Sequence, residues 1–488
     1  MGINFKYGGL VLIGNQKRWQ EDLFVAGPLS SLIPDDHILK LVDKILDLSW
    51  LRDEVKDLYC SDNGRPGIDP EAAVRLMLAG FFQGIVHDRK LMREAQVNIA
   101  IRWFAGYRLD EPLPDHSSLT KIRQRWGDER FKKIFQKTVQ SCVDAGLVSG
   151  ETVHIDATLI RADVSWESLT TAHAEAVVEQ NDHDDDKLKR PGRPRTKPQQ
   201  PKKYSKTDQD ATLTTSSHTS RMEPFYKQHA AVDDDCGVIV DVDVTTGEQS
   251  EGSQLAEQIE RIENNTGKKI KALSADSGYA YGKNFELLED GNIDAIIPPQ
   301  RQNSKPRNLP LRRFKYDGKH KMVKCPRGKV LTRRTQNNKG WIYRAKPKDC
   351  RSCQLRRRCI NETSASRAVL ISYGYEAHLR ARRRHRQPDD KFVTIYKRHR
   401  WRVEGMHGEA KTQHGLRRAV RRGLNNVAIQ AYLTAAVINL KRLVAFLGLF
   451  LERFCANIRG LWFQISFAVS TSQLFINFRR NLLWRETA

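Results

Sequence analysis

At about residue 150 the spacing of apolar residues changes from a helical period to a period of two. That switch constrains the fold of this 488-residue chain more than any other feature. In "TVHIDATLI" the residues Val153, Ile155, Ala157 and Leu159 alternate with Thr152, His154, Asp156 and Thr158, the pattern of a half-buried strand. "FYKQHAAV" and "VIVDVDVTTG" read as two further strands around the turn "DDDCG", a hairpin candidate. A helix follows over "SQLAEQIERIENNTG", then a strand in "KKIKALSADSG", a helix in "KNFELLEDGN" and a strand in "IDAIIPP". The order is therefore β-β-β-α-β-α-β: an antiparallel meander, then crossovers. Such an order is expected to give one mixed five-stranded sheet.

Upstream of the switch the chain reads as helices, a domain over residues 1–147. "GRPGIDPEAAVRLMLAGFFQGI" places Asp69 and Pro70 as a helix start ahead of apolar residues at helical spacing. "DRKLMREAQVNIAIRWFAG" reads as one helix closing at Gly106, and "PDHSSLTKIRQRWGD" as another capped by Asp115 or Ser117. The last carries Lys121, Arg123 and Arg125. Two helices with a turn between, the second basic, suit a helix-turn-helix in a DNA groove, though the pattern alone slightly favours a plain bundle with solvated arginines. The charge balance, 82 basic against 58 acidic residues and formally +24, favours a polyanionic partner, of which nucleic acid is the commonest. No secretory signal is read in "MGINFKYGGLVLIGNQKRWQ". The apolar run "LVAFLGLFLERFCANIRGLWF" is interrupted by charge and falls short of the roughly 20 residues that span a bilayer. A cytoplasmic protein with reduced cysteines and no membrane association is expected.

The strand order is that of ribonuclease H-like domains, expected here over 150–300 and completed by helices over 386–445. Residues 181–221, rich in Pro, Lys, Asp, Ser and Thr, read as a mobile insertion, and 446–488 as a helical tail of no assigned role. On such a sheet Asp156, on the polar side of the first strand, and Asp276, at the end of the fourth, project at adjacent points. A third carboxylate from a helix laid across the sheet completes a cage of hard oxygens suited to Mg²⁺ or Mn²⁺. Two such ions about 4 Å apart promote in-line phosphoryl displacement. Glu404, in "YKRHRWRVEGMHGEAK", is the third candidate; the alternative is that it merely pairs with Arg400 one turn away.

Several separated motifs resemble, in order, bacterial insertion-sequence transposases of the DDE class. "HIDATLIRADVS" resembles the family's first-Asp strand, "ALSADSGY" its second-Asp strand, and "YKRHRWRVEGMHGEAK" its Tyr-Arg-Glu-Lys helix. "GRPGIDPEAAVRLML", "RWFAGYRLDEPLPDHSSLTKIR" and "YSKTDQDA" extend the likeness to roughly residues 15–445. The resemblance implies that Asp156, Asp276 and Glu404 are a metal-binding catalytic triad, and that Arg400 and Lys411 grip the element-end backbone. Tyr396 falls one residue early for the family's tyrosine but keeps the same helical face. Arg417, Arg418, Arg421 and Arg422 in "GLRRAVRRG" are further phosphate contacts. The implied activity is cleavage of element ends and transfer of their 3′ ends to target DNA, by a homodimer because two ends must meet. A ribonuclease H-like nuclease without strand transfer, or a zinc-containing DNA-binding protein without catalysis, are the rival readings.

Between Asp276 and Glu404 lies more chain than one crossover needs. Residues 301–385 hold "CPRGKVL" and "CRSCQLRRRC", and Cys325, Cys350, Cys353 and Cys359 read as a zinc-ribbon-like insertion. Cys60, Cys142, Cys236 and Cys455 are scattered and read as packing residues.

Overall fold

The computed structural model describes residues 27–59, 67–164, 207–215, 222–300 and 308–448. The expected signal-free N-terminus, most of the expected mobile insertion, and the tail beyond 448 lie outside them.

The N-terminal region is helical: α1 (Ile38–Asp43), α2 (Leu51–Val55), α3 (Pro70–Phe82), α4 (Asp88–Val97), α5 (Ile99–Phe104) and α6 (His116–Asp144). Asp69 starts α3 by accepting from the N–H groups of Glu71 and Ala72, with Pro70 in the first turn. The single helix expected up to Gly106 is two. Asn98 adopts an extended backbone after α4, and its Oδ1 accepts from Ile101 N at 3.1 Å, so it stops one helix and caps the next. Asp115 caps α6, which kinks at Gly127, where φ is +71° and a side chain would be strained.

The main sheet contains β1 (Thr152–Arg161), β2 (Thr212–Thr215), β3 (Met222–Asp233), β4 (Ile239–Thr246), β5 (Ala272–Ala275) and β6 (Asp294–Ile296). Its order is β2-β3-β1-β5-β6, with β4 also on β3. β1 is antiparallel to β3 and parallel to β5, so the first and fourth expected strands are neighbours. The sheet has six strands rather than five, because β2 falls inside the segment expected to be a mobile insertion. Residues 207–215 are held there by pairing with β3 and by the buried Asp208, which accepts from Tyr226 Oη at 2.5 Å. Helices α7 (Leu255–Thr266) and α8 (Gly282–Asp290) make the crossovers, α7 ending at Gly267 with φ +65°.

A second, five-stranded antiparallel sheet follows: β7 (Lys315–Asp317), β8 (Met322–Lys324), β9 (Val330–Asn337), β10 (Gly340–Ala345) and β11 (Ala368–Ser372). It has its own small core, around Phe314, Val323, Leu331 and Tyr343, and carries the short helices α9 (Pro347–Arg351) and α10 (Arg356–Cys359). The chain then returns through α11 (Tyr375–Arg386) and α12 (Asp390–Thr412), and α12 packs across β1 and β5. α12 covers the strand face carrying His154, so β1 is not simply half-buried: Val153, His154 and Ile155 are all inside. A last helix, α13 (Leu424–Gly448), is long and apolar enough to cross a membrane, but 61% of its apolar window is packed inside the protein. Its Asn439 bonds both Ile239 N and Ile239 O at 2.8 Å, tying it to β4.

Candidate active site

The parallel register of β1 and β5 pairs Ile155 with Ala275, so Asp156 and Asp276, each one residue further on, stand side by side where β5 ends. Asp276 closes the strand by capping the turn Ser277–Tyr279; its Oδ1 accepts from Gly278 N at 2.7 Å. Asp156 keeps 24% of its side-chain surface, recessed beneath α12. Burial, reinforced by the negative charges of Asp276, Glu251 and Glu404, pushes its pKa up to about 7. Asp276 is also raised, mainly by burial, against the opposing hydrogen bond from Gly278. The two aspartates are thus destabilised as anions.

The surroundings compensate little of this. His407 Nε2 lies 3.7 Å from Asp156 Oδ2, but burial and the nearby Lys411 charge push the imidazole down to about 3, so it is neutral. Both of its ring nitrogens lack hydrogen-bond partners. Lys411 donates to Thr158 Oγ1 at 2.5 Å from the next turn of α12.

α12 buries Phe392, Ile395, His399, Val403, Met406, His407 and Ala410 on one stripe. Arg400 and Glu404 lie on its outer flank, 82% and 62% exposed, with Arg400 Nε donating to both Glu404 carboxylate oxygens at 3.1 and 3.0 Å. The i,i+4 pairing is therefore the arrangement present. Glu404 stands near enough for its charge to act on Asp156, yet it is not drawn in beside the aspartates. Among the described residues no three His, Cys, Asp or Glu side chains are gathered closely enough to hold a metal ion.

The expected DNA contacts divide. Lys121 and Arg417 are exposed, as is Arg400 apart from its pairing. Tyr396 is half-buried and stacks on His399, ring centroids 5.9 Å apart. The basic segment after α12 runs along the end of β1, Ala419 N donating to Arg161 O at 2.8 Å, which brings its arginines beside the aspartates' strand. There Arg418 Nη2 lies 2.5 Å from Asp163 Oδ1, and Arg422 donates to the Asp163 carbonyl. Arg125 lies over the Tyr59 ring. Two expectations are corrected. Arg123 is only 3% exposed and makes two hydrogen bonds to the buried Asp88, and Arg421 Nη2 reaches the same carboxylate at 2.6 Å. Their charges join α4, α6 and the segment after α12, and are not offered to phosphate. At Arg123 the plain-bundle reading of α6 holds.

Around the second sheet, Cys325, Cys350, Cys353 and Cys359 are free, half-buried thiols. They are close enough that, after burial, the other three influence the raised pKa of Cys359. His154, a lone histidine on the strand, bonds Asp234 at 2.9 Å in the interior. Cys142 is buried, as its packing role requires, and Cys236 is half-buried.

Three groups at the site escaped the sequence analysis: Glu251, Tyr279 and His407. Glu251 sits in a short turn ahead of α7, and nothing in the spacing of "GEQSEGSQ" distinguishes it from a solvated loop residue. His407 could have been found from its place four residues before Lys411 and three after Glu404 on one helix.

Two family models match the chain: "Transposase domain (DUF772)" over residues 28–125 and "Transposase DDE domain" over residues 324–444. A solved structure, the piggyBac transposase synaptic complex with hairpin DNA, is similar at 11% identity, covering 84% of this chain and 74% of that one with a TM-score of 0.30. No curated protein matches significantly.

Proposed function

We infer, for a chain that belongs to the DDE-class transposases, that it binds the inverted repeats of its element, cleaves the ends by metal-dependent hydrolysis and transfers the 3′ ends to target DNA. The observation that carries this reading is the Asp156–Asp276 pair on adjacent parallel strands, side by side where β5 ends and raised as acids by burial beneath a basic helix. Hard oxygens in that state fit a divalent cation such as Mg²⁺ or Mn²⁺, which would relieve their repulsion. When bound, two such ions would activate a water or 3′-hydroxyl and stabilise the leaving oxygen.

The chain's own part is positioning. Glu404 would leave Arg400 to complete the set with Asp156 and Asp276, and the freed Arg400 would turn to a backbone phosphate, joined by Arg417 and, from α6, by Lys121. Lys411, held on Thr158 next to Asp156, is placed to meet a phosphate entering the site. Arg418, Arg422, Arg125 and Tyr396 would line its approaches. In this reading the main sheet with α12 and α13 is a ribonuclease H-like catalytic core, the N-terminal helices recognise the ends, and a homodimer joins them. The second sheet is the inserted domain, and its four thiols supply a donor set suited to structural Zn²⁺.

The test is incubation of the full-length protein with DNA carrying the element's terminal sequence and Mg²⁺. Asp156→Ala, Asp276→Ala and Glu404→Ala should each abolish strand cleavage while end binding persists. Full cleavage by any one of them removes that residue from the site. A precleaved end incubated with plasmid separates the rival nuclease: the transposase joins them, the nuclease does not.

A further inference from the structure

Resting on the reading above, we propose that Glu251 is a fourth carboxylate of the cation site, contributed by the turn between β4 and α7 and directed at Asp276. Three observations converge on it. First, Glu251 and Asp276 crowd one point in space. A Cβ placed on Gly278 would lie 2.5 Å from Glu251 Oε2 and 2.9 Å from Asp276 Oδ1. The position is glycine, with φ outside the left-handed region, so what the missing side chain provides is room for the two carboxylates to approach. Second, the short turn that carries Glu251 packs against the turn that Asp276 caps, which places both acids at the end of β5.

The third observation comes from a neutral group beside the acids. Tyr279 is fully buried, 0% exposed, and its hydroxyl has no hydrogen-bond partner. That oxygen lies within the electrostatic reach of Asp156, Glu251 and Asp276 together. A buried phenol without a partner is destabilising, because the hydrogen bonds it made to water are not replaced. Within reach of all three carboxylates, this unsatisfied hydroxyl is a group that a further polar species would satisfy. A hydrated divalent cation satisfies every group at once: the carboxylates gain a counter-charge, and the hydroxyl gains a metal-bound water.

The competing explanation is that Glu251 serves only Lys227, whose Nζ lies 3.3 Å from its Oε1. The two accounts separate experimentally. Mn²⁺ binding to the metal-free, full-length protein is measured by electron paramagnetic resonance, with circular dichroism confirming the fold of each variant. Glu251→Gln is expected to weaken Mn²⁺ binding roughly tenfold or more, as Asp276→Asn should, whereas Lys227→Gln should leave it unchanged or tighter. Gly278→Ala, which forces the two carboxylates apart, should weaken it as well. Unaltered Mn²⁺ affinity in Glu251→Gln alongside a weakened Asp276→Asn overturns this proposal and leaves the transposase reading standing. Absence of Mn²⁺ binding by the unsubstituted protein overturns both.

Discussion

Asp156 costs the folded protein stability whenever it must be an anion without a cation beside it. Its folded pKa, near 7, stands above the ordinary aspartate value of 3.8, so the native state binds the proton more tightly than the unfolded chain does. The contribution of the protonated carboxyl is therefore fully present below about pH 4 and is lost as pH rises toward 7. Metal-free Asp156→Asn should be more stable than the unsubstituted protein at pH 8, by about 2–4 kcal/mol, and no more stable at pH 4. Urea denaturation in chelator at the two pH values checks this; equal pH dependence of both proteins would contradict it. At this scale Asp156 and Asp276 were legible because a strand's register and end fix where a side chain stands. The orientation of Glu404 was not, since the same helix position serves a metal or Arg400 depending on what charge is nearby. Glu251 was illegible because Asp276 is 25 residues away in sequence and the two meet only where two short turns pack together.

The Asp88–Arg123–Arg421 cluster decides how the elements lock together. One carboxylate, 7% exposed, holds guanidinium groups from α6 and from the segment after α12. The two positive charges keep Asp88 below its usual range in spite of burial. Asp88→Asn should leave two arginines facing each other and destabilise the fold by about 3–5 kcal/mol, the cost of breaking a buried pair. Thermal unfolding checks it; a change below about 1 kcal/mol would show that the arginines relax into solvent. The helices and the strands around β1 were readable from caps and alternation. Strand β2 was missed because four residues in a Ser- and Thr-rich stretch carry no pattern, and what makes them a strand is pairing with β3. The second sheet was missed for the same reason. Strands β7 and β8 have three residues each, and β9 buries little besides Leu331.

Over the whole molecule, a formal charge of +24 predicts DNA binding that weakens steeply with salt. Which cations act is set by which are not already paired. The double variant Arg400→Ala, Arg417→Ala should reduce the slope of log affinity against log salt by about 1–2, since each phosphate left without its cation lowers it by roughly 0.9. Arg123→Ala should leave the slope unchanged and lower stability instead, because its charge lies inside. Filter-binding titrations at several salt concentrations distinguish the two, and a reduced slope for Arg123→Ala would overturn its assignment to the interior. The succession of helices and then strands followed from the one change of periodicity near residue 150, while which cations are left unpaired depended on ion pairs no sequence spacing reveals.

The most direct measurement is a structure of the protein bound to an element-end duplex with Mn²⁺, located by its anomalous scattering. The account predicts Mn²⁺ between Asp156 and Asp276, with the Glu404 carboxylate released from Arg400 and turned onto the ion. Mn²⁺ bound elsewhere, or a bound end with Glu404 still on Arg400, would contradict it.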